Sequence, residues 1–354
     1  VLSGSATGAE RTGLTIAAGV NNVTMTQSGS SVTGFVGNGV VLQGGSRASA
    51  FANFAISGNG QSGIVVLPGD TTGTVIRNST ISGNGFNGVW LNGATPSVKV
   101  TGNTLTNNNN NGIVVSGPAS NVVIRKNTVT SSGLTGIRTE VVAGQAPSNM
   151  RISGNTTRLN QENGIIIAGN TGTTISGNVV ADNRLQGIVL VLGATRTSIT
   201  SNQIYNNGAV GVVVSDATTV GNPILSNSIY GNRRGGIVLL DGGNLGQVSP
   251  TLTSARLGGG NITIAGTITG NRDDVFRIQY FSSTATDATS GSNVQGRTLI
   301  GQRDITLTGK SASINAILSA AGIPKGSWIS ATATRLVGGV PSNTSQFSLG
   351  VKAT

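Results

Sequence analysis

The chain has 354 residues, with 22 basic and 11 acidic side chains for a net charge of +11, and it contains no cysteine and no histidine. Those absences exclude disulfides, thiolate chemistry, imidazole bases and the commonest zinc ligands. Only 3% of residues are aromatic, too few for base stacking, and no basic helix is visible, so nucleic acid is not expected as a partner.

No apolar run approaches the roughly 20 residues that a membrane helix needs, so no transmembrane segment is expected. A start at Val1 rather than Met is expected of a processed product or a fragment. Freedom from cysteine fits a secreted, extracellular or cell-surface bacterial protein stabilised without disulfides. The positive charge is spread over both halves of the chain, which suits contact with anionic surfaces or glycans.

From the N-terminus, a glycine followed by a short aliphatic strand recurs at Gly39, Gly63, Gly88, Gly112, Gly136, Gly164, Gly187, Gly211 and Gly236. The period is about 24 residues, stretched to 28 once, and a fixed short period specifies a solenoid. One and three residues after each glycine stand aliphatic pairs such as Ile64 and Val66 or Ile113 and Val115; Thr139 breaks the column. A spacing of two places both on one face of a strand.

Seven residues before the glycine a second column runs Ile56, Ile81, Leu105, Val129, Thr157, Val180, Ile204 and Ile229. Twelve before it a third runs Phe51, Ile76, Val100, Ile124, Ile152, Ile175, Ile199 and Ile224. Each unit therefore supplies three short strands separated by Gly, Asn and Ser turns, and no helical periodicity is present. The expected fold is all-β: a right-handed parallel β-helix of nine or ten coils over residues 1–248.

Asparagines also form columns. Four residues before the glycine stand Asn59, Asn84, Asn108, Asn160, Asn183, Asn207 and Asn232, with Ser132 as the exception. Asn tolerates the left-handed backbone of a tight turn, and its amide can bond the same amide one coil away, so a structural ladder is expected. A second column nine before the glycine includes Asn103, Asn127, Asn155, Asn178, Asn202 and Asn227, while Asn53 and Asn78 sit ten before.

This pattern resembles the pectate-lyase-like right-handed parallel β-helix superfamily, in particular its short-repeat members. The residues that carry the resemblance are Ile56-Ser57-Gly58-Asn59, Ile81-Ser82-Gly83-Asn84, Ile152-Ser153-Gly154-Asn155 and Ile175-Ser176-Gly177-Asn178, with strands Gly63-Ile64-Val65, Gly112-Ile113-Val114 and Gly187-Ile188-Val189. The resemblance covers about residues 13–245. It implies the fold rather than one activity, because the superfamily includes lyases, hydrolases, epimerases, adhesins and structural proteins.

After Asp241-Gly242-Gly243-Asn244 the register stops. Longer alternating strands are expected at 261–267, 275–281, 297–301, 311–318, 328–334 and 344–351, a small antiparallel β-sandwich over residues 249–354. Ser249-Pro250-Thr251-Leu252, Phe276-Arg277-Ile278-Gln279-Tyr280-Phe281, Thr298-Leu299-Ile300-Gly301, Ser330-Ala331-Thr332-Ala333-Thr334 and Asn343-Thr344-Ser345-Gln346-Phe347-Ser348 look like the immunoglobulin-like module that follows β-helices in large secreted bacterial proteins. That module commonly carries Glu where Gln346 stands here, and few acids remain to hold a hard cation, so neither metal nor cofactor is expected.

Candidate catalytic groups are few. Asp216 and Asp241 each lie five residues after their glycine and should stack in adjacent coils about 5 Å apart, near the separation of a retaining glycosidase pair. Glycine fills that position in other coils, which marks a turn where Asp is common, so capping is the expected role. Arg158, Arg184, Arg233 and Arg234 fall two to six residues before their glycines and are candidates for a basic strip facing an anionic glycan. Lyases on this fold resemble one another in pairing such a base with calcium-binding acids, and no acidic cluster accompanies these arginines.

Trp90 points outward with no aromatic at the same offset in other coils, and Tyr205 and Tyr230 share an offset that suits a stabilising ladder. Since stacking accounts for nearly every recurrent residue, the expected function is a non-catalytic extracellular structural protein. A β-helix has open ends, and no amphipathic capping helix is visible in residues 1–12. Another copy, through its sandwich, is expected to cover the first coil and build a head-to-tail filament or layer. The alternatives are an adhesin for anionic polysaccharide or surfaces and, third, a polysaccharide lyase or hydrolase.

Overall fold

The computed structural model describes residues 2–3, 12–26, 29–284 and 294–354; most of the stretch expected to lack a capping helix lies outside them. The chain forms two compact units, Val1–Leu185 and Gln186–Thr354, which between them hold about nine turns of parallel β-helix.

In the first unit each coil contributes three short strands, as in Ile64–Val66, Val75–Arg77 and Thr80–Ser82, which belong to what we term the first, second and third sheets. Equivalent strands pair in parallel and in register, Ile64 with Val89, Ile76 with Val100 and Ile81 with Leu105. The inward positions are fully buried. Thr139 and Thr157 occupy two of these aliphatic positions, and Thr157 Oγ1 has no hydrogen-bond partner.

The recurrent glycine is fixed by how closely the coils approach. A Cβ on Gly63 would stand 2.6 Å from Ile81 Cγ2 and 2.8 Å from the Gly88 carbonyl oxygen, and Gly39 and Gly88 meet the same obstruction from Gly63 and Gly112. Left-handed backbone is found elsewhere, at single-residue bends such as Gly58, Gly83, Asn107, Leu159 and Asp182. Each of these precedes a ladder asparagine. The expectation that the ladder asparagines themselves take the left-handed turn is therefore corrected; only the offset pair Asn53 and Asn78 does so.

The ladder asparagines are buried hydrogen-bonding rungs. Asn59 donates from N (3.2 Å) and Nδ2 (2.9 Å) to Asn84 Oδ1, and Asn84 does the same to Asn108 Oδ1. The second column behaves alike from Asn103 to Asn127 and from Asn127 to Asn155, with Ser79 as a further rung. A third, shorter series runs in the opposite sense, with Thr135 N donating to Asn111 Oδ1 and Asn111 N to Asn87 Oδ1. The four extra residues of the long coil form a protruding turn, closed by reciprocal 2.9 Å bonds between the Val142 and Gln145 backbones.

The second unit opens on coils of the same design, with strands Ile188–Val191, Val212–Ser215 and Ile237–Leu240 in the first-sheet position. After a short 3-10 turn at Gly243–Gly246 the strands lengthen and become antiparallel. Thr251–Gly258, Asn261–Thr269 and Ser311–Ser319 form one sheet; Thr298–Thr306, Val275–Ser283, Trp328–Val337 and Val340–Thr344 form the other, with Val351–Lys352 beside Trp328–Val337. Both face a core that includes Ile264, Phe276, Ile278, Tyr280, Ile314 and Ile329. The strand expected at 344–351 is instead two short ones, because residues 345–350 turn back toward the last coil of the helix.

That turn lets the sandwich cover the solenoid edge. Thr344 Oγ1 accepts from Ile224 N (2.8 Å), Gln279 Oε1 from Ser226 N (2.9 Å) and the Gly296 carbonyl from Ile229 N (2.8 Å). Phe347 lies against Gly236, where a Cβ would come within 2.6 Å of its ring. Backbone groups that a further coil would satisfy are thus met by side chains and one carbonyl.

Candidate polyanion-binding face

On the second sheet of the first unit the inward column Ile76, Val100, Ile124 and Ile152 is flanked by two outward columns. One reads Val75, Lys99, Val123, Arg151; the other reads Arg77, Thr101, Arg125, Ser153. Cations therefore occupy four successive coils, alternating between columns: Arg77, Lys99, Arg125, Arg151. All four are exposed, as is Lys126 at the adjoining bend, and none of the five is in an ion pair among the described residues. No acid stands in either column.

Strand spacing sets the geometry. Cations in adjacent coils are about 8 Å apart on the diagonal at the backbone, and those in one column about 10 Å apart. These separations are comparable to the screening length at 0.1 M salt, so the charges act on a ligand as one field. An extended polyanion lying across the coils would meet a fresh cation at each step. Short parallel strands hold the Cβ directions, while the long side chains leave the charged heads free to adapt.

The sequence carried a signal for this face. The four cations lie eleven or thirteen residues before the next recurrent glycine, on either side of the inward position at twelve. The arginines singled out from sequence are placed differently. Arg158 pairs with Asp182 through Nε (3.0 Å) and Nη2 (2.5 Å). Arg184 is exposed in the first unit, and Arg233 and Arg234 are exposed in the second.

Asp216 and Asp241 both adopt left-handed backbone at turns. The Asp216 carboxylate accepts from Leu192 N (2.6 Å), Thr218 N (3.0 Å), Thr218 Oγ1 (2.6 Å) and Thr219 Oγ1 (2.8 Å). Partial burial raises its pKa, but these bonds, led by the Thr218 and Thr219 hydroxyls, outweigh burial and hold it below the usual carboxylate range. A carboxylate so held is ill suited to donate a proton near neutrality. Asp241 accepts a long 3.4 Å bond from Ser215 Oγ. Among the described residues no three His, Cys, Asp or Glu side chains gather as a metal site would require, and no helix is long and apolar enough to cross a membrane.

Tyr205 and Tyr230 stack with ring centroids 5.0 Å apart and planes 7° apart, and Arg297 of the sandwich lies 4.5 Å over Tyr230.

The family described as "Right handed beta helix region" matches three overlapping stretches, residues 12–140, 38–202 and 87–253. Comparison with curated proteins finds no match. Among solved structures, the chain is similar to the periplasmic alginate epimerase AlgG at 15% identity and a TM-score of 0.38, over 57% of this chain and 61% of that one. It is also similar to the A-module of the mannuronan C-5 epimerase AlgE6 from Azotobacter vinelandii (19%, TM-score 0.46, 62% and 64%). A third similarity is to the enzymatically active domain of tailspike protein 2 from bacteriophage CBA120 (12%, TM-score 0.35, 94% and 68%). The chain spans about three fifths of the length of the AlgG structure it matches.

The expected self-associating filament is corrected. The solved structures found similar include an alginate epimerase, a mannuronan epimerase module and a tailspike domain. The sandwich, expected to cover the first coil of another copy, meets the chain's own last coil through Thr344, Gln279 and Gly296. The three matched stretches together cover more than half of the sequence, and the chain belongs to the right-handed β-helix family.

Proposed function

We propose that this protein recognises an anionic polysaccharide and holds it across the coils on the second sheet of the first unit. The observation that carries this reading is the alternation of Arg77, Lys99, Arg125 and Arg151 over four successive coils, exposed, without an ion pair among the described residues and with no acid in either column. The net charge of +11 supplies a long-range field of the same sign. A linear uronan or sulfated glycan, with charges repeating along an extended chain, is the ligand class that fits. A ligand of this class supports a secreted protein that meets its glycan outside the cytoplasm. The same reading accommodates turnover of the bound chain, which a polyuronate activity panel would detect.

Retention on immobilised polymannuronate and on heparin tests the proposal. Elution is expected to move to much lower salt when the four cations are replaced by glutamine. Unchanged elution of that variant would sink the assignment of this face.

A further inference from the structure

We infer that the first sheet of the same coils carries a second, separate carbohydrate site, built on Trp90, which takes a hexopyranose ring of a glycan by stacking rather than by charge. It goes beyond the basic face and does not depend on it.

Two outward columns run side by side across three coils. One reads Trp90, Val114, Arg138 and the other Asn92, Ser116, Glu140. The first is an aromatic and apolar rail ending in a guanidinium; the second is a polar rail of amide, hydroxyl and carboxylate. Trp90 reaches across to the next strand, its Nε1 donating 2.8 Å to Ser116 Oγ. Val65 and Val114, its outward-facing neighbours in the column, are 3% and 1% exposed. The indole is thus held in one orientation, half-buried over its own sheet.

Phe86 stands edge-on to it, centroids 6.3 Å apart and planes at 63°, with 39% of its surface exposed. Arg138 and Glu140 pair at 3.0 Å while each keeps about a third of its side chain exposed. Beyond Glu140 the protruding turn closed by Val142 and Gln145 forms a wall, with Val142 Cβ within 4 Å of where a Gly117 side chain would begin.

A pyranose has C–H faces and a rim of hydroxyls. Its face suits a fixed indole flanked by phenyl, and its rim suits Asn92 and the Arg138–Glu140 pair, which offers donors and acceptors with little net charge. A nucleobase would also stack, but the acid of the Arg138–Glu140 pair favours a hydroxyl-rich ring over a phosphorylated one. Preorganisation by Ser116 keeps the ordering cost of binding small.

The full chain is titrated with hexamers of β-1,4-linked glucose and of mannuronate in about 1 M NaCl, where screening shortens to about 3 Å and the basic face is silenced. Indole emission is expected to shift saturably with at least one hexamer. Calorimetry is expected to show binding lost in Trp90→Ala, retained in Trp90→Phe, and weakened about tenfold in Arg138→Gln, the effect of one charge-assisted hydrogen bond. The quadruple glutamine variant of the basic face should bind these hexamers as the wild type does, so failure of either site is read separately. Absence of binding by both hexamers at high salt overturns the inference, as does binding by Trp90→Ala equal to that of the wild type. Circular dichroism confirms that each variant is folded, and if Trp90→Ala is not, the tenfold weakening in Arg138→Gln decides, with wild-type affinity in that variant overturning the inference.

Discussion

Gln295 sits on Asn232 as though it were the next rung of the asparagine ladder. Asn232 donates to Gln295 Oε1 from N at 3.2 Å and from Nδ2 at 2.9 Å, the same two distances by which Asn59 addresses Asn84. Gln295 Nε2 returns a 2.7 Å bond to the Asn232 carbonyl. The glutamine is fully buried and comes from the antiparallel part of the chain, so a sandwich residue completes a solenoid motif. Replacing it with alanine leaves the buried Asn232 N–H and carbonyl without their partner, while Nδ2 keeps the Ile204 and Tyr230 carbonyls, and is expected to destabilise the second unit by about 2–4 kcal/mol. Urea denaturation monitored by near-ultraviolet circular dichroism would read this, and a midpoint unchanged from wild type would refute the role.

Within the first unit, Asn84 both accepts from Asn59 and donates Nδ2 to Asn108 Oδ1 and to the Ile56 carbonyl. An Asn84→Asp carboxylate cannot donate, and it would face two acceptors in a buried site. Burial raises the pKa of the introduced acid above its unfolded value of about 3.9, so the penalty should be small below pH 4 and grow as pH rises. Thermal melting at pH 3.5 and pH 7 checks this. The deficit relative to wild type should be several degrees larger at pH 7.

Tyr280 is buried in the sandwich core, its hydroxyl has no hydrogen-bond partner, and burial pushes its pKa up to about 12. An unfolded tyrosine ionises near 10, so between those values the unfolded state binds fewer protons than the folded one and stability falls with rising pH. Tyr280→Phe should therefore match or exceed the wild type at neutral pH. It should also lose less stability between about pH 10 and 12. Parallel alkaline losses in the two proteins would contradict the assignment.

The solenoid was legible because Gly39, Gly63 and Gly88 recur with aliphatic residues at fixed offsets, and a column of that kind has few other physical explanations. The chemistry behind the columns was less so. Asn59 and Asn84 read as turn residues, yet the bend belongs to Gly58 and Gly83 before them, since sequence does not say which of two adjacent small polar residues takes positive φ. Arg77 and Arg125 are hard to read from sequence because they flank the inward column at Ile76 and Ile124, where cations alternate with Val and Thr and form no unbroken column. Gln295 left no trace, for it belongs to no repeat and lies 63 residues from Asn232. The expectation of a filament rests on the absence of a capping helix in the sequence; at the C-terminal edge of the coils the cover is the sandwich of the same chain.

The most direct test of the central claim is the affinity of the chain for polymannuronate as a function of salt. If Arg77, Lys99, Arg125 and Arg151 hold the polymer, affinity should fall steeply between about 0.05 and 0.2 M NaCl, as expected when bound cations release counterions. The quadruple glutamine variant should lose most of both the affinity and the slope. Equal affinity and equal slope in the two proteins would contradict the account.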